Sequence, residues 1–220
     1  MSRLAYPLVV FDFDGTIADT TVVIAEVCNE ILIGAGHESV APEVVFDLVG
    51  LTLETMFAHL LREPDPSPRA QELARVYRER YYQIAPQKAV LFPNVFETLQ
   101  ALRAAGATLT IASGKSTAGV ELMLEALQID DLFDYVVGAT SVTHGKPHPE
   151  MLWRTLERCG VSPREAIVVG DTRFDLQMGR AAGLDTCAVT YGAQPVAELA
   201  KEQPTFLVHS APEIVPVVFR

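Results

Sequence analysis

Apolar and polar positions follow two different periods along this chain, and they predict strands and helices in turn. Short unbroken apolar runs, such as residues 8–11, are typical of strands buried on both faces of a parallel sheet. From residue 86 onward such runs alternate with stretches of helical spacing. The predicted strands lie near residues 108–112, 135–137, 166–169, 186–189 and 206–208, and the predicted helices near 93–105, 116–128, 149–159, 173–182 and 195–202. This alternation predicts an α/β fold, a doubly wound parallel sheet with helices on both faces.

A different pattern fills the region after the first strand. Between about residues 20 and 85 there is no strand signal, and the apolar residues recur at helical spacing. The predicted helix starts are, in order, Thr20 or Thr21, Pro42, Thr52, and Ser67 with Pro68. The prolines at 64, 66 and 68 predict a linker, and the helix after it is predicted to run through Tyr82. We therefore predict an all-helical domain, residues 16–85, inserted into a core formed by residues 1–15 and 86–220.

Composition and charge narrow the possible functions. The chain has 220 residues, of which 49% are hydrophobic and 20% charged, as expected for a globular protein with a large core. A formal net charge of −11 disfavours nucleic acids and anionic membranes as partners. The three cysteines, Cys28, Cys159 and Cys187, match no zinc or disulfide spacing, so we expect buried reduced thiols. With no membrane-length apolar stretch and no secretion signal, we expect a cytoplasmic protein, a monomer or a homodimer.

Two aspartates one residue apart follow the first apolar run. Asp12 and Asp14 end the predicted strand, and residues i and i+2 of a strand point to the same side, roughly 6.6 Å apart. At an effective dielectric constant near 20, two such anions repel each other by roughly 2.5 kcal/mol. A pair of this kind requires a cation, a shared proton or a catalytic role.

Other polar residues stand where they could complete such a site. Ser113 and Asp171 each follow an apolar run, Asp175 comes four residues later, and Lys146 lies in a proline-containing loop. Ligands of open parallel sheets bind beyond the carboxyl ends of the strands. Alone, each of these residues is typical of a turn, a helix cap or a solvated surface. Together, at strand ends, they predict one site in which acids, a hydroxyl group and a lysine converge.

This set of groups suits phosphoryl transfer through a carboxylate nucleophile. Asp12 would attack phosphorus, and Asp14 would protonate the leaving oxygen and then activate water. Mg²⁺ prefers oxygen ligands, and Asp12, Asp171 and a main-chain carbonyl near Asp14 would supply them. Ser113 and Lys146 would contact the transferring group, and Asp175 would orient Lys146 or a metal-bound water.

Two further patterns are given no role in this site. Gly114-Lys115-Ser116 resembles the end of a phosphate-binding loop, but residue 109 is Leu where that motif needs glycine. His144 and His148 flank Lys146, and we interpret them as surface or loop histidines whose roles stay open.

Four motifs of this chain resemble those of the haloacid dehalogenase superfamily. They are Asp12-Phe13-Asp14-Gly15-Thr16, Ser113, the run from Gly145 to Glu150, and Gly170-Asp171-Thr172-Arg173-Phe174-Asp175. The resemblance implies a Mg²⁺-dependent phosphatase with Asp12 as nucleophile and Asp14 as acid and base. It also implies that the helical block is a cap of the first type, which opens to admit substrate and closes to exclude water.

Within that superfamily the chain is most similar to the phosphoglycolate phosphatase-like group. The run Ile17-Ala18-Asp19-Thr20 and the run from Gly50 to Glu54 carry this similarity, whereas Ser113-Gly114-Lys115 departs from the usual threonine-asparagine-lysine. We therefore expect a small phosphorylated metabolite as substrate, bound with the help of Thr16, Thr52 and Gly114. A β-phosphoglucomutase-type phosphosugar mutase is a less favoured alternative, and a phospho-receiver or binding protein without turnover is less favoured still.

Overall fold

A six-stranded sheet forms the centre of the molecule, which we describe from a computed structural model covering residues 4–65 and 67–219. Its strand order is β5-β4-β1-β6-β7-β8, and every neighbouring pair is parallel. The strands are β1 (Leu8–Phe11), β4 (Thr108–Ser113), β5 (Tyr135–Gly138), β6 (Ala166–Gly170), β7 (Asp185–Val189) and β8 (Phe206–Val208), with β2 (Ala18–Asp19) and β3 (Val90–Leu91) outside the sheet. The predicted parallel α/β sheet is confirmed.

The described part of the chain contains ten α-helices. They are α1 (Thr21–Gly34), α2 (Pro42–Phe46), α3 (Leu53–Leu61), α4 (Pro68–Lys88), α5 (Val95–Ala104), α6 (Thr117–Ala126), α7 (Glu150–Cys159), α8 (Arg173–Ala182), α9 (Val196–Lys201) and α10 (Ile214–Val218). Pro66, part of the predicted linker, lies outside the described residues, as do residues 1–3 and 220. No described helix has both the length and the apolar composition needed to cross a membrane.

The central strand β1 shows why helices cover both faces of the sheet. All four of its residues are buried, and they alternate between two apolar clusters. Val9 and Phe11 belong to the cluster that contains α5 and α6, whereas Leu8 and Val10 belong to the one with α7 and α8. Because successive side chains of a strand point to opposite faces, an unbroken apolar run is what a doubly covered strand requires.

The helical block enters and leaves the core through a short antiparallel ribbon that the apolar pattern did not indicate. Ala18 of β2 pairs with Leu91 of β3, and Asp19 pairs with Val90. Helices α1 to α4 lie between these two strands in sequence, and α3 and α4 share a buried aromatic contact between Phe57 and Tyr77. The absence of strands between residues 20 and 85 holds for the residues described there.

Three expectations about local structure need correction. Helix α4 extends to Lys88 rather than Tyr82, with Pro86 in its last turn, and the short α10 was not predicted. Thr20 precedes α1 but its side chain accepts no hydrogen bond from the helix, and its hydroxyl donates to Asp14. All three cysteines are free, but only two are buried, since Cys159 is half-buried.

Candidate active site

Three adjacent strands bring the predicted acids and hydroxyl to one edge of the sheet. Phe11, the last residue of β1, pairs with Ile111 on one side and Val169 on the other. The register continues beyond the strand, because the Asp12 N–H donates to the Val169 carbonyl at 2.9 Å. The chain beyond β1, β4 and β6 therefore presents its polar residues at one point, the expected place for a ligand.

Lys146 joins two of the acids in a fully buried ion-pair network. Its Nζ lies 2.7 Å from Asp12 Oδ1 and donates to Asp175 Oδ1 at 2.5 Å. Burial lowers the pKa of Lys146, but the charges of Asp12 and Asp175 outweigh it and raise that pKa above its usual range. Lys146 is therefore a fixed cation at the tip of β1, as the sequence predicts.

Asp12 is the residue of the site with a carboxylate oxygen that lacks a hydrogen-bond donor among the described residues. Its Oδ2 is buried and accepts no hydrogen bond from any described residue. Burial raises the pKa of Asp12 well above its usual range, Lys146 opposes that rise, and the charges of Asp175 and Asp171 add to it. A buried carboxylate oxygen without a donor is costly unless a cation or a ligand satisfies it.

Asp171 is held rigidly beside the turn that follows β1. Its Oδ1 accepts from the Thr16 hydroxyl and its Oδ2 from the Ala193 N–H, both at 2.7 Å. Gly15, at φ +84°, passes so close that a Cβ there would lie 2.1 Å from Asp171 Oδ2. Burial and the charge of Asp175 raise the pKa of Asp171 to about 7, while its two hydrogen bonds act in the opposite direction.

Three carboxylates form a cluster that fits a divalent cation. One oxygen each from Asp12, Asp171 and Asp175 lies within 4.8 Å of the others, and all three residues are buried. Both oxygens of Asp175 already have donors, Lys146 on Oδ1 and the Thr172 N–H and hydroxyl on Oδ2. Asp12 therefore offers the open oxygen, and a hard cation such as Mg²⁺ matches the all-oxygen chemistry.

Asp14 stands apart from this cluster and pairs with a lysine that the sequence reasoning passed over. Its Oδ1 accepts from Thr20 at 2.7 Å, and its Oδ2 lies 3.1 Å from Lys115 Nζ. That ammonium group also lies 4.2 Å from the ring centre of Tyr81. Burial lowers the pKa of Lys115, but the charge of Asp14 outweighs it and raises the pKa above its usual range. In the sequence, Lys115 stood only in the run Ser113-Gly114-Lys115 and in an incomplete phosphate-binding motif, and neither assigned it a role.

Four other residues were predicted to belong to the site, and they differ in what they contact. Ser113 is buried at the end of β4, and its Oγ accepts from the Lys115 N–H at 3.2 Å. Gly114 touches the helical block, since a Cβ there would lie 2.4 Å from the Gly50 carbonyl oxygen. Thr16 donates to Asp171, and Thr52 caps α3 by accepting from the Thr55 N–H. A substrate-binding role for Thr16, Thr52 and Gly114 stays a prediction.

A pocket lies between the core and the helical block, directly over Asp12 and Asp14. Ser113, Gly114 and Lys115 complete its core side. The helical block supplies a largely apolar and aromatic wall that includes one cation, Arg78. The other residues of this wall are Ile24, Leu48, Val49, Gly50, Leu51, Leu53, Met56, Tyr77, Tyr81 and Tyr82. A ligand held there would contact both parts of the molecule. Thr16 and Thr52 are not among the lining residues.

Comparison with known proteins gives matches over nearly the whole chain. The chain is 34% identical over 211 residues to the "Probable phosphatase IndB" of Dickeya dadantii, covering 95% of this chain and 92% of that protein. It is 31% identical over 230 residues to the phosphoglycolate phosphatase of Escherichia coli K12, covering 96% and 91% of the two chains.

Solved structures share the fold. A haloacid dehalogenase-like hydrolase from Bacteroides fragilis superposes with a TM-score of 0.90 at 27% identity, over 95% of this chain and 99% of that one. A predicted phosphoglycolate phosphatase from Haemophilus somnus gives a TM-score of 0.86 over 97% of this chain and 98% of that one. At 24% sequence identity, this likeness is evidence for a shared fold only. The family model described as haloacid dehalogenase-like hydrolase matches residues 9–189, so the chain belongs to that family.

Proposed function

We propose that this protein hydrolyses a small phosphate monoester, in the presence of Mg²⁺, through a phosphoryl group carried transiently on Asp12. The observation that carries the proposal is the buried Asp12 Oδ2, which has no donor among the described residues and lies at the floor of the pocket. Relatives named as phosphatases support the reaction class.

The chemistry would proceed in two displacements at phosphorus. In the first, Asp12 forms a bond to phosphorus while the bond to the leaving oxygen breaks, and Asp14 gives that oxygen a proton. In the second, Asp14 takes a proton from water as the water oxygen attacks phosphorus, which releases inorganic phosphate and restores Asp12. Lys146, at 2.7 Å from Asp12, and Ser113 would hold the phosphoryl oxygens.

The residues available for the metal are Asp12 and Asp171, with the Asp14 main-chain carbonyl as a third ligand. When bound, Mg²⁺ would offset the negative charge of the phosphoryl group and favour the ionised form of Asp12, which burial disfavours. Asp175 would not bind the metal directly, because its oxygens already accept from Lys146 and Thr172. These hydrogen bonds would keep the lysine pointed at Asp12.

We propose that the predicted insertion, residues 16–85, acts as a cap that admits a small phosphorylated metabolite such as phosphoglycolate. The cap supplies most of the pocket wall, and the close approach of Gly114 to Gly50 and Leu51 marks where it meets the core. The acidic groups beneath this pocket disfavour large polyanionic substrates. In a chain of net charge −11, Lys115 and Arg78 are the cations of this pocket that would attract an anionic substrate.

Asp12→Asn tests the proposed nucleophile. The measurement is Mg²⁺-dependent release of phosphate from p-nitrophenyl phosphate or acetyl phosphate. Asn removes the nucleophilic oxygen at nearly the same volume, so turnover should fall by at least about 10³-fold. Circular dichroism should show an unchanged fold. Robust turnover in this variant would remove Asp12 from its assigned role.

Asp14→Asn tests the proposed acid. An amide gives up no proton to the leaving oxygen, so the rate loss should grow as the leaving group becomes a stronger base. Phosphate esters of a graded series of phenols and alcohols provide this comparison. If all leaving groups lose the same factor, Asp14 does not protonate them.

A further inference from the structure

A second cluster of metal-type side chains lies in the loop that carries Lys146. His144, His148 and Glu150 each place one possible ligand atom within 4.8 Å of the other two. These residues occupy the turn before α7 and the first residue of that helix. The proposed phosphatase chemistry uses none of them, and none lines the pocket over Asp12.

The spacing of these atoms suits a transition-metal ion. His144 Nδ1 lies 3.3 Å from Glu150 Oε2, and the two imidazole rings are 4.6 Å apart between centres. Two ligands bound to a tetrahedral Zn²⁺ at about 2.0–2.1 Å are themselves about 3.3 Å apart. The His144 side chain is 62% exposed, so an ion can reach the cluster and keep a water ligand.

The carboxylate of the cluster is held ionised by its own loop. The N–H groups of Thr143 and His144 donate to Glu150 at 2.9–3.1 Å and lower its pKa to about 2. Arg154 pairs with Oε1 at 3.1 Å, but its side chain is 49% exposed and can move into solvent. His148 Nδ1 accepts one long hydrogen bond of 3.3 Å from the Glu150 N–H. Binding of a metal ion by His148 would break no hydrogen bond of the described residues other than this one.

We propose that His144, His148 and Glu150 bind a borderline divalent transition ion such as Zn²⁺, separately from the carboxylate cluster. Imidazole nitrogen favours Zn²⁺, Ni²⁺ and Cu²⁺, whereas an all-carboxylate site favours Mg²⁺, so the two sites select different ions. The bound ion would fasten the loop that carries Lys146 to the start of α7.

Trp153 provides a direct readout, because it is the only tryptophan of the chain and its ring packs edge-on against His148 at 5.6 Å. The experiment titrates Ni²⁺, a fluorescence quencher, into protein freed of metal by a chelator and kept in excess Mg²⁺. We expect saturable quenching of Trp153 with one ion per chain. His144→Ala should weaken binding by at least about tenfold, or about 1.4 kcal/mol.

Control variants distinguish Ni²⁺ binding at His144, His148 and Glu150 from Ni²⁺ binding elsewhere on the protein. His59→Ala removes an exposed histidine of α3 and should leave Ni²⁺ binding unchanged, as should Asp171→Asn in the carboxylate cluster. His148→Ala alters the surroundings of Trp153, so its expected loss of affinity is measured by calorimetry. Quenching that does not saturate, or equal affinity in wild type and His144→Ala, would overturn the proposal. So would a loss of binding caused by Asp171→Asn.

Discussion

At the scale of single residues, the site is defined by an imbalance of buried charge. Three carboxylates, those of Asp12, Asp171 and Asp175, share a buried volume with the single ammonium group of Lys146. If all three acids ionise, the cluster carries two uncompensated negative charges. Since uncompensated buried charge is expensive, protons or a divalent cation must offset it. This imbalance is the physical reason to expect a metal at this position.

Asp171 should make the metal-free protein less stable as the pH rises. Its pKa of about 7 in the folded protein exceeds its ordinary value of 3.8. The folded state therefore binds more protons than the unfolded state between these values, and its contribution to stability is lost as pH rises through about 7. The loss amounts to at most roughly 4 kcal/mol, at 1.36 kcal/mol per pKa unit. Denaturant unfolding in chelator from pH 4 to pH 8 measures it.

Asp171→Asn is the reference for that measurement, because it removes the titrating group; it also removes the charge of Asp171 that raises the pKa of Asp12. Asn cannot accept from both Thr16 and Ala193, so the variant has a constant penalty from its altered hydrogen bonds. The stability of the variant relative to wild type should rise between about pH 4 and pH 7. A difference that stays flat across this range would show that burial does not raise the pKa of Asp171.

Lys115 shows the limit of reasoning from single residues. Asp12, Asp14 and Asp171 could be predicted because several polar residues follow apolar runs together, although each alone is typical of a turn or a helix cap. A lysine after Ser113 and Gly114 has many structural explanations, since its long side chain is usually solvated. Its ammonium group lies 3.1 Å from Asp14 Oδ2 and also contacts the ring of Tyr81 from α4. Asp14 follows β1 and Lys115 follows β4, so the folded core sheet brings the two together, and the helical block adds Tyr81.

At the scale of elements, the strands of the central sheet were predictable, down to the three residues of β8, and the two-residue strands were not. Strand β1 has four apolar residues in a row, whereas β2 and β3 have two residues each and no period to detect. The predicted end of α4 at Tyr82 was wrong, because the helix runs on to Lys88. Pro86 has no N–H to donate to the carbonyl of residue 82, yet the helix continues past it to Lys88. The division at residues 15 and 85 stays a prediction.

Gly114→Ala should impair turnover by holding the helical block away from the core. An added Cβ would lie 2.4 Å from the Gly50 carbonyl oxygen and 2.5 Å from that of Leu51. Backbone atoms cannot rotate away as a side chain can, so the loop of residues 50–51 must retreat. A displacement of about 1 Å can cost on the order of 10²-fold in rate. Steady-state kinetics with p-nitrophenyl phosphate measures the loss in kcat/KM.

Gly34→Ala is the matched control, because a Cβ at this residue of α1 meets nothing within 4 Å. It should leave kcat/KM unchanged and the protein at least as stable. Thermal unfolding of Gly114→Ala should stay close to that of wild type, since the block can move away without unfolding. Equal kcat/KM in the two variants would show that close contact at Gly114 is not needed for turnover.

At the scale of the whole molecule, negative charge lies both on the surface and in the buried carboxylate cluster, and added Mg²⁺ can change stability through either. The surface contributes to a net charge of −11, which any salt screens, whereas the buried carboxylates respond only to an ion that enters their cluster. Added MgCl₂ therefore acts in two ways, and stability measurements must separate them. Sodium chloride at the same ionic strength reproduces the screening alone.

Mg²⁺ should stabilise the folded protein beyond the effect of screening. A ligand that binds only the folded state at 100 times its Kd adds about 2.7 kcal/mol. For a chain of 220 residues this corresponds to an increase in Tm of about 5–10 °C. The increase, measured by scanning calorimetry against the sodium chloride reference, should largely disappear in Asp171→Asn, which removes a charged ligand. If sodium chloride gives the same increase, or if Asp171→Asn keeps it, the carboxylate cluster does not hold the ion. In the first case the gain comes from screening of the surface charge; in the second the ion binds at other ligands.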